Sequence, residues 1–383
     1  MINNTFKLKS KNNLVINLSK LPFSETYAKK FTDKPDPYNQ KFIFNNEFQH
    51  GYIKNVLPTE NFYNQNYFLR TADSLTSSRG TLFFLKFVNK YLINPRILID
   101  IGCNDLFLIN QFKNNKRYCI GVDPIQKNEK KSNLLLIGRN FEDAKLDSFN
   151  GKINAVFCRH TIEHIKNLEV FFEKLQTISS SKTQFFFEFP SLDLLVENLR
   201  FDQIFHQHLQ YFSLYSFNKL INRYNFQIID IKFNYHHWGA LLVYFKRRST
   251  KMKKINFNKN PILSKNILIK NYNLFKNNML TLRKQLLNIQ RKELYFFGAS
   301  QMLPIILYHL KIDPSSASAI IDDDKTKHQL TYSNIPLKII GIDKIKNISS
   351  KSFLITAPDS SSAIFSKLIK LRPKNIFSIF QRI

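Results

Sequence analysis

The sequence predicts an α/β protein: two parallel-sheet units of unequal size, joined by a long helix and preceded by a small module of short strands. Three observations predict it. Short apolar runs alternate with helical segments over residues 95–250, the pattern of parallel βαβ units with covered faces. The same alternation restarts at 293–383 after a polar, basic stretch. A length of 383 residues has room for two or three domains.

In chain order, residues 1–78 are irregular, with turn signals at Asp33–Asn39 and Leu57–Asn61 and short apolar pieces at Leu14–Leu18 and Phe42–Phe44. They are read as a small N-terminal module of short strands. Thr76–Tyr91 has helical spacing. Ile97–Ile101, Tyr118–Val122, Leu134–Ile137, Ala155–Cys158 and Gln184–Phe189 read as short buried strands bounded by turn signals. Phe226–Phe233 and Leu241–Phe245 read as a closing pair. Lys251–Lys259 lacks any apolar period and reads as a linker. Pro261–Arg291 reads as one long helix, and Leu294–Phe297, Ala319–Ile321, Phe353–Ile355 and Ile376–Ile379 as the strands of the second unit. The expected domains are therefore 1–78, 79–250, a linker and long helix at 251–292, and 293–383.

Composition narrows the function classes. The chain is 43% hydrophobic and 14% aromatic, enough for a sizeable core and unlike a disordered chain. Its formal net charge is +29. Such a charge suits nucleic acid, an anionic surface or an anionic substrate. The lysines are spread along the whole chain rather than clustered, which favours compositional drift over a nucleic-acid footprint. Cys103, Cys119 and Cys158 have no CxxC spacing, so a reducing compartment is expected and a disulfide framework is not. No apolar leader and no membrane-length apolar stretch is present in the sequence as read. The expected location is the cytoplasm.

The segment Ile97–Phe107, ILIDIGCNDLF, carries the first chemistry. Asp100 and Ile101 end a strand, and Gly102 opens a tight turn where backbone and ligand can approach closely. Ligands of open α/β sheets sit beyond such strand ends. Asp123 closes the next strand, 21 residues after Gly102, and an acid there can accept from both hydroxyls of a ribose. The turn has one glycine and lacks the GxGxxG that cradles a pyrophosphate. A cofactor with a ribose and no phosphates fits, and S-adenosyl-L-methionine is such a cofactor. Asn104 lies in the turn. Asn140 and Phe141 follow the third strand, where an amide and a ring can frame an adenine. Cys158, Arg159 and His160 end the fourth strand beside the expected sulfonium. Cys103 and Cys158 read as small strand-end residues rather than nucleophiles.

The densest cluster of functional side chains is Phe201–Ser213, FDQIFHQHLQYFS, and a pair of histidines flanks an acid at His160–His164, HTIEH. His206 and His208 would share one face of a strand, as a metal site requires. No third ligand stands at a companion spacing, so no metal is expected. A general-base role suits His208 better, because the imidazole pKa lies near working pH. In the second unit, Phe296–Ser300 and Ala357–Ser362 are small-residue turns whose amides can bind phosphate. Asp322, Asp323 and Asp324 can take sugar or ribose hydroxyls.

These segments resemble the sugar C-methyltransferases, which act on nucleotide-linked deoxy-keto-sugars. The resemblance runs through YNQNYFLRTADS (Tyr63–Ser74), IDIGCND, GVDP (Gly121–Pro124), HTIEH, FEFPSLDLLVENLRFDQIFHQHLQYFS (Phe187–Ser213), HHWGALLVYF (His236–Phe245) and FFGASQMLPIILYHL (Phe296–Leu310). It implies a small N-terminal zinc-binding module, a class I methyltransferase Rossmann-like domain and a smaller C-terminal Rossmann-like α/β domain, with the nucleotide-sugar substrate between them. It implies that His208 matches the base that removes a proton next to the sugar ketone. His164 matches a second site histidine that binds the sugar oxygens, and Tyr67, with Tyr63 beside it, matches a substrate-facing tyrosine.

The departures are specific. Phe205 replaces the tyrosine of the family's YxEH-type motif, and Gln207 replaces its glutamate. Gln207 carries no charge to raise the basicity of His208. It can still donate to a developing oxyanion, as can His164 or Tyr211. The N-terminal module has no cysteine, so the family's zinc is expected to be missing. The competing readings are an O-methyltransferase on a sugar or polysaccharide precursor, a nucleic-acid methyltransferase, and an inactive binding or scaffold subunit. The nucleic-acid reading lacks an (N/D)PP(Y/F) element after the fourth strand, where this chain has CRHTIEH.

Overall fold

A computed structural model describes residues 13–24, 27–31, 37–57, 75–114, 116–237, 239–249 and 263–379. Tyr63, Tyr67 and the expected linker Lys251–Lys259 lie outside the described residues. The chain forms two compact units. The first comprises Met1–Val15, Phe42–Leu195 and Gln207–Ile267, and the second Ile16–Lys41, Val196–His206 and Leu268–Ile383.

The strands of the N-terminal region are β1 (Leu14–Leu21), β2 (Tyr27–Ala28), β3 (Tyr38–Asn45) and β4 (His50–Ile53). Helix α1 (Leu75–Asn89) leads to β5 (Ile97–Ile101), α2 (Phe107–Asn110), β6 (Tyr118–Val122), β7 (Glu129–Lys130), β8 (Leu134–Ile137) and β9 (Ile153–Arg159). Next come α3 (Leu168–Ile178), β10 (Ser179–Pro190), α4 (Leu192–Glu197), β11 (Gln210–Phe212), α5 (Leu214–Arg223), β12 (Phe226–Asn234) and β13 (Ala240–Arg247).

The centre of the first unit is an eight-stranded sheet of order β12-β13-β10-β9-β5-β6-β8-β7. Strands β10, β9, β5, β6 and β8 are parallel, and β13 runs antiparallel to both β10 and β12. This mixed sheet resembles that of the class I Rossmann-like fold expected from the sequence. The central strands β5, β6 and β9 bury both faces, which explains why their apolar runs are continuous. Phe185, Phe187 and Phe189 point into one core with Phe171, Phe172 and Phe217 of α3 and α5. Phe186 and Phe157 point into the other with Phe84, Phe87 and Val88 of α1. A chain of 37 phenylalanines fills these two layers with rings rather than aliphatic side chains.

Phe157 shows the consequence for stability. Its ring is fully buried, stacked on Phe112 at 4.9 Å and meeting Phe84 edge-on at 6.2 Å. Phe157→Ala is expected to cost about 3–5 kcal/mol in denaturant unfolding, the usual effect of emptying a ring-sized core site. A loss below about 1 kcal/mol would show that the layer collapses around the gap.

Sheet order places the site. From β5 the chain moves to β6 on one side, and later to β9 on the other. The carboxyl ends of β5 and β9 therefore flank the point where strand order reverses, the usual ligand crevice of an open α/β sheet. In the same unit, β4 pairs antiparallel with Phe42–Asn45 of β3 and with β11, which brings the residues just before β11 into a fixed register.

The second unit contains α6 (Lys265–Leu287), β14 (Leu294–Phe297), α7 (Leu303–Leu310), β15 (Ile320–Ile321), β16 (Thr331–Tyr332), β17 (Ile339–Ile340), β18 (Ser352–Ile355), α8 (Ser361–Leu371) and β19 (Asn375–Ser378). Its five-stranded sheet, order β17-β15-β14-β18-β19, is parallel throughout. The second α/β unit expected from the sequence is therefore present. Helix α6 buries Leu268, Phe275, Met279, Leu282 and Leu286, one face at helical spacing. No described helix is long and apolar enough to cross a membrane.

Candidate active site

The cofactor turn is built by backbone geometry. Gly102 has φ +80°, and Asn104, Leu106 and His160 also have left-handed backbones, with φ of 40°, 65° and 46°. Three such non-glycine residues at the ends of β5 and β9 mark a site held in place by its surroundings. Gly102 N–H donates to Val122 O at 2.8 Å, closing the turn onto β6.

Asp123 is the lock between the strands. Its Oδ2 accepts from Asn104 N–H at 2.9 Å and its Oδ1 from Ile125 N–H at 3.0 Å. Gln126 Nε2 donates to Asn104 O. The carboxylate thus sits at the strand end where a ribose is expected and also shapes the turn that faces it. Burial pushes Asp100 up to about 7, opposed by Arg159 and reinforced by Asp123. The donor set, the strand-end acid and the left-handed turn fit an adenosyl cofactor without phosphates. Asp123→Ala is expected to weaken S-adenosylhomocysteine binding by tenfold or more in calorimetry, as for the loss of charge-assisted hydrogen bonds. Unchanged affinity would remove Asp123 from the site.

Other expected residues fall out differently. Phe141 is buried in the core, edge-on to Phe171 at 5.1 Å with Lys174 over its ring at 5.5 Å, whereas Asn140 is exposed. Cys103 and Cys158 are buried, and burial pushes both thiols well up, so neither is a nucleophile. The strand expected to carry the His206/His208 pair does not form: residues 204–209 are turn and coil, and β11 begins at Gln210. His206 is a structural histidine, with Nε2 3.0 Å from Leu21 O and Nδ1 3.3 Å from Gln40 Nε2. Ser213 caps α5 in a capping box with Ser216. Asp202 pairs with Arg200, Oδ1 to Nε at 2.9 Å and Oδ2 to Nη2 at 2.8 Å.

His208 and His164 do come together, although they are distant in sequence. The HTIEH turn leaves the end of β9, and the segment before β11 docks on it through two hydrogen bonds. Leu209 N–H donates to Glu163 O at 2.7 Å, and His164 Nδ1 donates to Gln207 O at 2.8 Å. The two imidazoles then meet edge to face, with centroids 5.1 Å apart. Tyr211 lies 6.0 Å from His208, also edge to face. Burial pushes His208 down to about 3; His164 lowers it further and Glu163 opposes. His208 is therefore neutral, with a lone pair for a proton. The Gln207 side chain is buried, and its main chain fixes the tautomer of His164.

Two groups were not assigned roles from the sequence. Glu163, the acid inside HTIEH, is 2% exposed. His160 Nδ1 lies 3.6 Å from its Oε1 and His164 Nε2 lies 4.0 Å away. Donor atoms of Glu163, His164 and His208 all lie within 4.8 Å of one another, close enough to be weighed as a metal cluster. Glu188, a lone acid in an apolar strand, is fully buried and ties Arg159 (Nε to Oε2, 2.5 Å) and Asn234 (Nδ2 to Oε1, 2.6 Å) into one network. The signal for Glu188 was an acid amid apolar neighbours, which needs a buried partner, and for Glu163 an acid between two histidines.

The second unit repeats the local arrangement of the first. Gly298 has φ +109°, and Gly298 N–H donates to Ile321 O at 2.7 Å. Asp322 accepts from Ala299 N–H at 2.7 Å and Asp324 N–H at 2.9 Å. Within this unit the turn's own carbonyls are taken: Ala299 O by Tyr27 at 2.6 Å and Lys327 at 3.2 Å, and Ser300 O by Tyr332 at 2.8 Å. Asp323 pairs with Lys367 at 2.6 Å, and Asp324 caps the turn at Thr326.

Comparison with known proteins agrees with the first unit. Residues 70–231 match a family model described as a methyltransferase domain. The chain is 24% identical over 159 residues to the C-methyltransferase NovU of Streptomyces niveus. That match covers 40% of this chain and 38% of that protein's length. Similar solved structures include a putative S-adenosylmethionine-dependent methyltransferase from Listeria monocytogenes, 13% identical with a TM-score of 0.36, covering 45% of this chain and 100% of that one. Another is the 1,6-didemethyltoxoflavin-N1-methyltransferase of Burkholderia thailandensis, 9% identical with a TM-score of 0.37, covering 46% and 80%. The stretch that matches the methyltransferase-domain model, residues 70–231, holds the cofactor turn, the HTIEH turn and the parallel strands of the eight-stranded sheet.

Proposed function

We propose that the protein methylates a carbon of a nucleotide-linked deoxy-keto-sugar, with His208 as the base. The observation that carries this reading is the docking of His208 onto the HTIEH turn, which leaves β9 directly beside the cofactor turn. When bound, S-adenosylmethionine supplies a methyl group already activated on a sulfonium. The chain then has to hold the sugar in line and remove one proton. A neutral, buried His208 takes the proton next to the ketone, and the resulting enolate carbon is the nucleophile. His164, its Nδ1–H donating to Gln207 O, leaves Nε2 as an acceptor for a sugar hydroxyl, and Tyr67 is assigned to the substrate side. Asp100, Gly102, Asn104, Asp123, Asn140 and His160 are assigned to the cofactor, with Phe141 supporting the adenine side from the core. The 24% identity to a protein named as a C-methyltransferase supports the reading.

O-methylation of a sugar hydroxyl is the second reading. Phe205 and Gln207 favour it, because both depart from the C-methylating motif while His208 is kept. The test is incubation of the protein with S-adenosylmethionine and a panel of keto-sugar nucleotides, read by mass spectrometry for a gain of one methylene. The proposal expects that gain on at least one member. No gain across keto- and hydroxyl-sugars alike would sink it.

A further inference from the structure

The geometry points to Glu163 as the counter-ion of His208: a positioning residue whose buried carboxylate stabilises the imidazolium formed when His208 takes the substrate's proton. The inference rests on the proposed role of His208 as base. Gln207, next to His208 in sequence, carries no charge. An imidazolium formed in a buried site without an anion nearby would be costly. Glu163 supplies the anion from another segment.

Three observations place it there. Glu163 is 2% exposed, and its Oε1 has His160 Nδ1 at 3.6 Å and His164 Nε2 at 4.0 Å, so the buried carboxylate sits among imidazoles able to carry the compensating charge. An oxygen of Glu163 and nitrogens of His164 and His208 lie within 4.8 Å of one another. Glu163 O accepts from Leu209 N–H at 2.7 Å, so the main chain of the acid holds the residue after the base. The groups facing His208 are His164, Glu163 and His160 from the HTIEH turn and Tyr211 from β11. Those facing Glu163 are His160, His164 and His208. Among the described residues Glu163 is the carboxylate that faces both His164 and His208, while Glu188 lies 3.9 Å from the far nitrogen of His160. The step balances simply. The C–H electron pair stays on carbon, the proton goes to an imidazole nitrogen of His208, and the new positive charge forms beside the carboxylate. An acid that orients and compensates a catalytic imidazole in this way has the part played by the aspartate of a serine-protease triad.

The test is Glu163→Gln, which keeps shape and the main-chain bond but removes the charge. Methyl transfer to the keto-sugar nucleotide should fall on the order of ten- to a hundredfold, less than for a directly hydrogen-bonded triad acid. An anion raises the pKa of a neighbouring imidazole, so its removal should also move the acidic limb of kcat/KM to lower pH. Glu163→Asp should restore the limb. S-adenosylhomocysteine affinity, measured by calorimetry on the same protein, should be unchanged. A fall in rate with an unmoved limb would make Glu163 merely structural and overturn the inference. Should Glu163→Gln not fold, histidine-ring NMR titration of the wild-type and Glu163→Asp proteins reads the same coupling, and a His208 indifferent to residue 163 would overturn it. A stoichiometric divalent metal in the purified protein would also overturn it, because the three side chains would then hold an ion rather than a proton. If His208→Ala retains turnover, the reading of His208 as base fails instead, which separates the two failures.

Discussion

His208→Ala is expected to lower turnover at least a hundredfold, with S-adenosylhomocysteine bound as in the wild-type protein. Positioned general bases contribute about 10²–10⁴-fold. The separation of effects follows from where the residue sits. His208 lies in the segment before β11, held to the HTIEH turn by Leu209 N–H and by Gln207 O. The residues assigned to the cofactor lie at the ends of β5, β6, β8 and β9, and those of β5 and β6 are tied together by their own hydrogen bonds. Removing the imidazole takes away a proton acceptor and leaves that lattice alone. Main-chain bonds of residues 207 and 209 do not need the side chain at 208. Calorimetry and single-turnover rates on one preparation check both halves. Turnover that survives would move the base elsewhere, and affinity that vanishes would make His208 a structural residue.

Gly102→Ala is expected to have the larger effect on the fold and to abolish cofactor binding. At φ +80° a side chain is strained by about 1–2 kcal/mol before any contact is counted. The added Cβ would lie 1.9 Å from Thr161 Oγ1 and 3.0 Å from its Cβ and Cγ2. Thr161 cannot simply swing aside, because its hydroxyl donates to Arg159 O at 2.9 Å. Its main chain also opens the HTIEH turn. Relief of the clash would therefore disturb the cofactor turn and the catalytic turn together. The unfolding free energy should drop by roughly 3 kcal/mol or more, in the upper range for single substitutions. Thr161→Ala placed on the Gly102→Ala background should recover the part due to the hydroxyl and leave the backbone strain. A double mutant no better than the single one would show that φ alone decides the cost.

Much of this architecture was legible because the first unit follows local rules. Ile97–Ile101, Tyr118–Val122 and Leu134–Ile137 form strands with the bounds expected from their apolar runs. Helix α1 begins one residue before the helix expected at Thr76. Where bounds slipped, the reason is physical. Strand β10 begins at Ser179 rather than Gln184, because its first five residues are the polar SSSKT, which carries no apolar signal. Strand β7 is two charged residues paired to β8, set by a neighbour and not by its own pattern.

The site was only half legible. Gly102 and Asp123 announce themselves within one βαβ unit. The alternation in FHQHLQYF imitated a strand, but the backbone of Leu209 is bonded to Glu163 and Ile53 instead. The meeting of residues 163 and 208 depends on a tertiary contact 45 positions apart, and no local spacing encodes it. Glu163 was visible as an acid between two histidines, yet its burial and its approach to His208 belong to the folded chain alone.

The most direct test is the position of the transferred methyl group. The protein is incubated with isotopically labelled S-adenosylmethionine and the keto-sugar nucleotide that gains mass, and the product is read by carbon–proton correlation NMR. The labelled methyl is expected on a ring carbon adjacent to the former ketone. A methyl on oxygen would contradict it and make the protein an O-methyltransferase with the same cofactor site.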